Sequence, residues 1–210
     1  MLTGTVSRPK VQTVVAQQIE GKRKRVGILG GTFNPPHLGH LIIADQVGTQ
    51  LGLDNVLFMP DNIPPHVDHK SAINGHRRLK MVQLAIAGNS LFAPEDIELK
   101  RGGVSYTVDT IKMLKRQHPD TDYYFIIGGD MVQYLPKWHE PEQLIRMVHL
   151  VGVKRRGYTI STPYPVLWVD TPLIDISSTI IRKKIKNHES VHYLIPDSVE
   201  QYIREEGLYL

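Results

Sequence analysis

The chain has 210 residues, 41% of them apolar and 22% charged, enough for one hydrophobic core of ordinary size and unlike a disordered polymer. It contains no cysteine, which excludes disulfide frameworks and thiolate metal sites. A formal net charge of +4 suits an anionic small ligand but is too small to argue for nucleic acid, and no apolar run approaches the ~18 residues that span a bilayer.

Residues 1–25 read as a polar extension in which Val11, Val14, Val15 and Ile19 could line one helix face. Its first residues do not pair a positive start with an apolar stretch, so no export signal is expected and a cytoplasmic location is. The run Lys22-Arg23-Lys24-Arg25 is expected to be a solvated lead-in to the first strand.

Residues 26–210 read as a single domain. RVGILG is a buried strand ending in glycine. LIIADQVGTQLG is a helix with Leu41, Ala44, Val47 and Leu51 on one face, closed by Gly52. NVLFMP is a second strand, stopped by Pro60, and DNIPPHVDHKSAING is a loop. HRRLKMVQLAIAG is a helix with Leu79, Val82 and Ile86 on one face. IELK is expected as a short strand and Gly102-Gly103 as a turn. YTVDTIKMLKRQH is a helix with Thr107 as N-cap. DYYFIIGG, MVHLVGVKR and VLWVD are further strands. SSTIIRKKIKN is a serine-capped helix, and DSVEQYIREEG is a last helix closed by Gly207. Strands alternating with helices predict an α/β fold, a Rossmann-like doubly wound, mostly parallel sheet with helices on both faces.

In such a sheet ligands bind beyond the carboxyl ends of the strands. GILGGTFNPPHLGH occupies that place for the first strand. Gly30 and Gly31 let the backbone turn and approach a ligand with no Cβ in the way. The helix after His37 offers unpaired N–H groups, which favour phosphate. The spacing is neither G-x-G-x-x-G nor G-x-x-x-x-G-K-[ST], so a dinucleotide fingerprint and a P-loop are both absent. His37 and His40, three apart, would point the same way and could each donate to phosphate oxygens. A metal half-site or plain surface is the alternative.

This stretch resembles the HxGH signature of the nucleotidyltransferase superfamily, and GGTFNPPHLGH is similar to the opening of the bacterial nicotinate-nucleotide adenylyltransferases. The resemblance implies that His37, His40 and the loop of Gly30, Thr32 and Phe33 bind the phosphates of ATP, with Gly31 and Thr32 also facing the acceptor mononucleotide.

A second motif, DISSTIIR, puts cap-type residues and an arginine at a helix start, either a phosphate site or an ordinary capped helix. It resembles the family's ISSTxIR motif, which implies that Ile176, Ser177, Ser178 and Arg182 hold the β- and γ-phosphates, with His37, His40 and Arg182 catalytic. After the strongest strand, Gly128 precedes Asp130, which suits ribose hydroxyls or a helix N-cap. Trp138, one of two tryptophans, is core filling or, from its polar proline-bounded loop, a platform for a flat cationic ring. GGDMVQYLPKW is similar to the family's GADMVxxLPxW region. That implies ATP contacts at Gly128 and Asp130, stacking of nicotinate on Trp138, and a carboxylate received by Thr107 and the His139 backbone. Lys70 is the expected ligand of the acceptor phosphate.

The activity implied is transfer of AMP from ATP to nicotinate mononucleotide, giving deamido-NAD and pyrophosphate in NAD biosynthesis. Mg²⁺ would ride on the ATP phosphates with no dedicated protein site. Nucleic acid and membrane partners are not expected, and a homodimer is expected by analogy with relatives. A pantetheine-phosphate adenylyltransferase, a cytidylyltransferase, a non-catalytic nucleotide sensor and a weak RNA-binding module are the rivals.

Overall fold

The apolar runs around Ile28 and Phe125 have no polar face, so they can be stable only when covered on both sides. They become the two central strands. The computed structural model describes residues 23–65, 72–153 and 162–210. Its strands are β1 (Lys24–Gly31), β2 (Asn55–Pro60), β3 (Phe92–Pro94), β4 (Thr121–Gly128), β5 (His149–Val153) and β6 (Val166–Val169). They form one sheet in the order β3-β2-β1-β4-β5-β6, and every pairing is parallel. The helices are α1 (Leu38–Gln50), α2 (Gly75–Ile86), α3 (Ile97–Arg101), α4 (Thr107–Gln117), α5 (Gly129–Tyr134), α6 (Pro141–Ile145), α7 (Ser178–Lys186) and α8 (Asp197–Glu205).

Successive strand residues face opposite sides of the sheet. Ile28, Phe125 and Ile127 therefore pack with Val108, Ile111 and Leu114 of α4. Leu29, Tyr124 and Ile126 pack on the other side with Ala44 and Val47 of α1 and Val82 of α2. A third cluster joins Met81 of α2 to Ile181 of α7, Val199 and Ile203 of α8, and Leu208. The strand order reverses between β1 and β4, which opens a crevice at their carboxyl ends. Gly30-Gly31 and Gly128-Gly129 lie at that edge.

The structure corrects several expectations. IELK is not a strand: it is α3, and the edge strand lies earlier, at Phe92–Pro94, paired with Val56, Leu57 and Phe58. Ile97 and Glu98 are both buried, which a helical turn permits and strand alternation on one covered face does not. Glu98 accepts a hydrogen bond from the Thr110 hydroxyl at 2.7 Å. Burial pushes its carboxyl above the ordinary range, and hydrogen bonds with Thr110 and Ser105 pull the other way.

Thr107 is the first residue of α4 rather than its N-cap, a position taken by Tyr106 with no side-chain capping bond. Lys24 and Arg25 belong to β1 rather than to a solvated lead-in. Arg25 donates its backbone N–H to Asp54 and lays its guanidinium over the Tyr124 ring, 5.1 Å from the centroid. Arg23 pairs with Asp122 at 2.8 Å. Arg23 and Lys24 are nonetheless exposed, as a solvated run would be. The helix expected around Val11, Val14, Val15 and Ile19, and Lys22, lie outside the described residues.

Gly152 sits opposite Trp168 across the β5–β6 ladder. A Cβ at Gly152 would lie 2.5 Å from Cζ3 of Trp168 and 2.8 Å from Cγ1 of Val166. Gly152→Ala is expected to destabilise the fold by about 1–3 kcal/mol through overpacking. Urea unfolding measures this, and an unchanged midpoint would contradict it.

Candidate active site

β1 stays extended through Gly31, so the two glycines do not make the turn that the sequence suggests. The turn falls at Phe33, whose φ is +47° and whose ring is 2% exposed. A Cβ on Gly30 would meet nothing closer than 3.8 Å, so the protein's own packing does not demand glycine there. The Phe33 ring meets His40 edge-on at 4.9 Å.

His37 is the N-cap of α1, and His40 lies in its first turn. The two imidazoles stack at 3.6 Å with 24° between planes, as their spacing predicts. The His37 backbone N–H donates to Nδ1 of His40 at 3.1 Å. That bond needs an unprotonated Nδ1, so the proton of the neutral ring is on Nε2. His40 thus presents one defined donor. Gly39 lets this happen, because a Cβ there would lie 3.0 Å from Nδ1 of His37.

The second motif faces the first. Ser177 caps α7 by accepting from the Ile180 N–H, as the sequence predicts. The Ser178 hydroxyl donates to the Pro35 carbonyl at 2.8 Å. Arg182 donates to the Asn34 carbonyl at 2.9 Å and to the Thr179 hydroxyl at 3.3 Å, which leaves further N–H groups of its fork. Thr32, Phe33, His37, His40, Ile176, Ser177, Ser178 and Arg182 all line one cleft of about 1020 Å³. Two helix N-termini, two imidazoles and a guanidinium around one cleft make a receptor for a polyanion.

Behind this cleft lies a polar hub that the sequence reading missed. Arg78 is 2% exposed. Its guanidinium donates to the carbonyls of Thr32 (2.7 Å), Asp61 (2.7 Å), Asn62 (3.4 Å) and Ile73 (3.0 Å), and to the Asp61 carboxylate (3.1 Å). The Thr32 hydroxyl donates to the same carboxylate at 2.8 Å. Burial pushes the Asp61 carboxyl above its ordinary range, and Thr32 and the Arg78 charge oppose it. Burial also lowers Arg78, but with its fork filled by acceptors it remains a cation. A signal existed: Arg78 lies four and eight residues before Val82 and Ile86, on the apolar face of α2.

Gly128, Asp130, Thr107, Trp138 and His139 do not line the cleft. Gly128 caps α5, so Asp130 is in the first turn rather than at the N-cap. Trp138 is half-buried against the core, edge-on to Phe125 at 6.0 Å, and its indole N–H has no acceptor among the described residues. The His139 ring meets Tyr106 at a tilt, 39° between planes and 4.5 Å between centroids, which brings the Trp138 loop beside Thr107. Asn62, at the cleft's edge, accepts Ser105 as partner: its backbone N–H donates to the Ser105 hydroxyl at 2.9 Å. The β2 loop therefore links the cleft to the start of α4. Lys70 lies outside the described residues.

A glycine-ended first strand and donor-lined loops over the carboxyl edge of a parallel sheet define a nucleotide-handling site. A family model described as cytidylyltransferase-like matches residues 28–184. A Lactiplantibacillus plantarum protein named "Probable nicotinate-nucleotide adenylyltransferase" is 61% identical, over 89% of this chain and 88% of its own. A protein of the same name from Enterococcus faecalis is 56% identical, over 89% and 85%. Among solved structures, nicotinic acid mononucleotide adenylyltransferase of Plasmodium falciparum complexed with NaAD superposes with a TM-score of 0.75 at 22% identity, covering 89% of this chain and 97% of that one. The likeness is one of fold. The chain belongs to the cytidylyltransferase-like family and, within it, to the nicotinate-nucleotide adenylyltransferases. Among the described residues, no helix is long and apolar enough to cross a membrane.

Proposed function

We propose that this chain transfers the adenylyl group of ATP to nicotinate mononucleotide, releasing pyrophosphate and forming deamido-NAD. The observation that carries the reading is one cleft lined from both ends of the chain, by His37 and His40 on one side and the α7 N-terminus with Arg182 on the other. Residues 26–210 serve as the catalytic domain, with the preceding segment as an extension.

The acceptor's phosphate oxygen attacks the α-phosphorus in line, a new P–O bond forms, and the bond to the β-phosphate breaks with its electron pair leaving on pyrophosphate. The nucleophile is already ionised at neutral pH, so no general base is required. Catalysis is then positioning and charge stabilisation. The His40 Nε2–H and His37 serve the phosphates, together with Arg182 and the N–H groups opening α7. The Ser178 hydroxyl acts mainly by tethering the loop, since its proton goes to the Pro35 carbonyl, whereas Ser177 accepts the capping bond of α7 and can still donate its O–H to phosphate. Gly30 gives the backbone access to ATP, Gly31 faces the mononucleotide and Thr32 both substrates, and Gly128 and Asp130 take the ribose. Mg²⁺, carried on the phosphates, would neutralise their charge; Asp175 is a cleft-lining carboxylate of matching chemistry.

Trp138 provides the stacking face for the nicotinate ring. Thr107 and the His139 backbone receive its carboxylate, and Lys70 its phosphate. Donor-only groups accept a carboxylate and disfavour an amide NH₂, so the acid is selected over nicotinamide mononucleotide. A cytoplasmic location and a homodimer accord with the same reading.

The test is pyrophosphate release from Mg·ATP with nicotinate mononucleotide, beside nicotinamide mononucleotide and 4′-phosphopantetheine. Release with the nicotinate compound alone is the expected result. Comparable release with both mononucleotides would discard the selectivity account. ATP binding with no release would support a sensor instead. Trp138→Ala is expected to raise KM for the mononucleotide about tenfold and KM for ATP little. Equal effects on both would assign Trp138 to packing alone.

A further inference from the structure

The loop from Thr32 to Leu38 carries the phosphate-facing groups, and it is tied down from several directions. Arg78 holds the Thr32 carbonyl, Arg182 the Asn34 carbonyl, Ser178 the Pro35 carbonyl, and the Leu194 carbonyl accepts the Leu38 N–H at 3.0 Å. One further tie comes from the far end of the sequence. The Tyr209 hydroxyl donates to Oδ1 of Asn34 at 2.8 Å, across a separation of 175 residues. Asn34 is 4% exposed, so its side-chain oxygen needs an internal donor. Tyr209 does not line the cleft.

The chain holds Tyr209 there deliberately. Leu208 is 4% exposed, packs with α2, α7 and α8, and donates its N–H to the Ile203 carbonyl at 2.9 Å. The backbone then takes a left-handed turn at Tyr209, with φ of +66°, a conformation that a non-glycine residue adopts only when its surroundings impose it. Burial lifts the phenol far above its ordinary range against the pull of Arg182 and Arg78, so it stays a neutral O–H donor.

We infer that Tyr209 is a positioning residue for adenylyl transfer: by fixing the Asn34 side chain it orients the loop between Phe33 and His37 and the carbonyl that aims Arg182. The inference rests on the functional reading above. Asn34 lies one residue beyond the positive-φ turn at Phe33 and three before His37. Its main chain and side chain are therefore clamped by different elements, Arg182 of α7 and Tyr209 beyond α8. Loss of the second clamp lets the first misaim, and misaim is felt in the transition state more than in ground-state binding.

Tyr209→Phe keeps the ring and removes only the donor. It is expected to lower kcat about 5–20-fold while KM for ATP changes less than about twofold. In an Asn34→Ala background the same change should lower kcat no further. Leu114→Ala is the structural control, because it lies in the other core layer, on α4 and away from the Asn34 clamp: it should lower Tm and leave kcat within about twofold at a temperature where the variant is folded. Hydrogen exchange of the peptide spanning residues 32–38 should quicken in Tyr209→Phe. Active wild type with Tyr209→Phe within twofold overturns the inference alone. Loss of kcat in both Tyr209→Phe and Leu114→Ala, in proportion to Tm, overturns it in favour of a purely structural role. Wild type inactive with nicotinate mononucleotide overturns the functional reading and the inference with it.

Discussion

His40→Ala is expected to lower kcat about 10²–10³-fold, the loss associated with one preorganised hydrogen-bond donor at a developing charge. The ring has two jobs that can be separated. Nδ1 accepts the His37 backbone N–H, which ties the first turn of α1, and this same bond assigns the proton to Nε2. Alanine removes both functions. Asparagine offers an acceptor near the Nδ1 position and nothing at Nε2. His40→Asn is therefore expected to lose kcat nearly as far as His40→Ala while keeping a Tm close to that of the wild type. Only His40→Ala should show the additional loss of about 1 kcal/mol that follows from an unsatisfied helix N-terminus. Steady-state pyrophosphate release and thermal unfolding of the two variants measure this. A fall in kcat under threefold for either would remove His40 from the chemistry.

Arg78→Met is expected to destabilise the protein by about 3–5 kcal/mol, the range for a buried ion pair broken on one side. Methionine roughly fills the volume but strands the Asp61 carboxylate, whose side chain is 14% exposed, with only the Thr32 hydroxyl as partner. It also strands the carbonyls of Thr32, Ile73, Asp61 and Asn62. Arg78→Lys should recover little, because an ammonium cannot span acceptors that a planar fork reaches together. Adding Asp61→Asn to Arg78→Met should cost less than the sum of the two single changes, since the stranded charge is then gone. Urea unfolding of the four proteins gives the coupling. A single-variant loss below about 1 kcal/mol would show that water, not Arg78, supports the loop.

These two residues differ in how far they could be read in advance. The spacing of His37 and His40 and the glycine-ended strand before them are local features. Helix geometry alone stacks two rings three residues apart, and the structure has them at 3.6 Å. Arg78 carried a weaker local sign, a charge on an apolar helix face, whose meaning depends on which acceptors surround it. The IELK run shows the limit of pattern reading. Four residues with apolar positions at Ile97 and Leu99 fit a strand or a helical turn equally well, and packing of Glu98 against Thr110 favours the turn.

The sequence by itself determined the alternation of strands and helices, the parallel sheet that follows from it, and the helix starts at His37 and Ser177. Each depends on backbone geometry within about ten residues, where periodicity and capping chemistry act directly. Only the tertiary structure decided the order β3-β2-β1-β4-β5-β6, and with it the crevice that brings the loop after β1 against α7. It also decided which donors are used within the protein: Ser178 gives its hydroxyl proton to the Pro35 carbonyl and Arg182 part of its fork to Asn34 and Thr179, whereas Ser177 only accepts. The ties from Arg182 and Tyr209 to Asn34 cross 148 and 175 residues. A hydrogen bond over that distance leaves no periodic trace in the chain, because it is set by where the packed layers place two side chains and not by the residues beside either one.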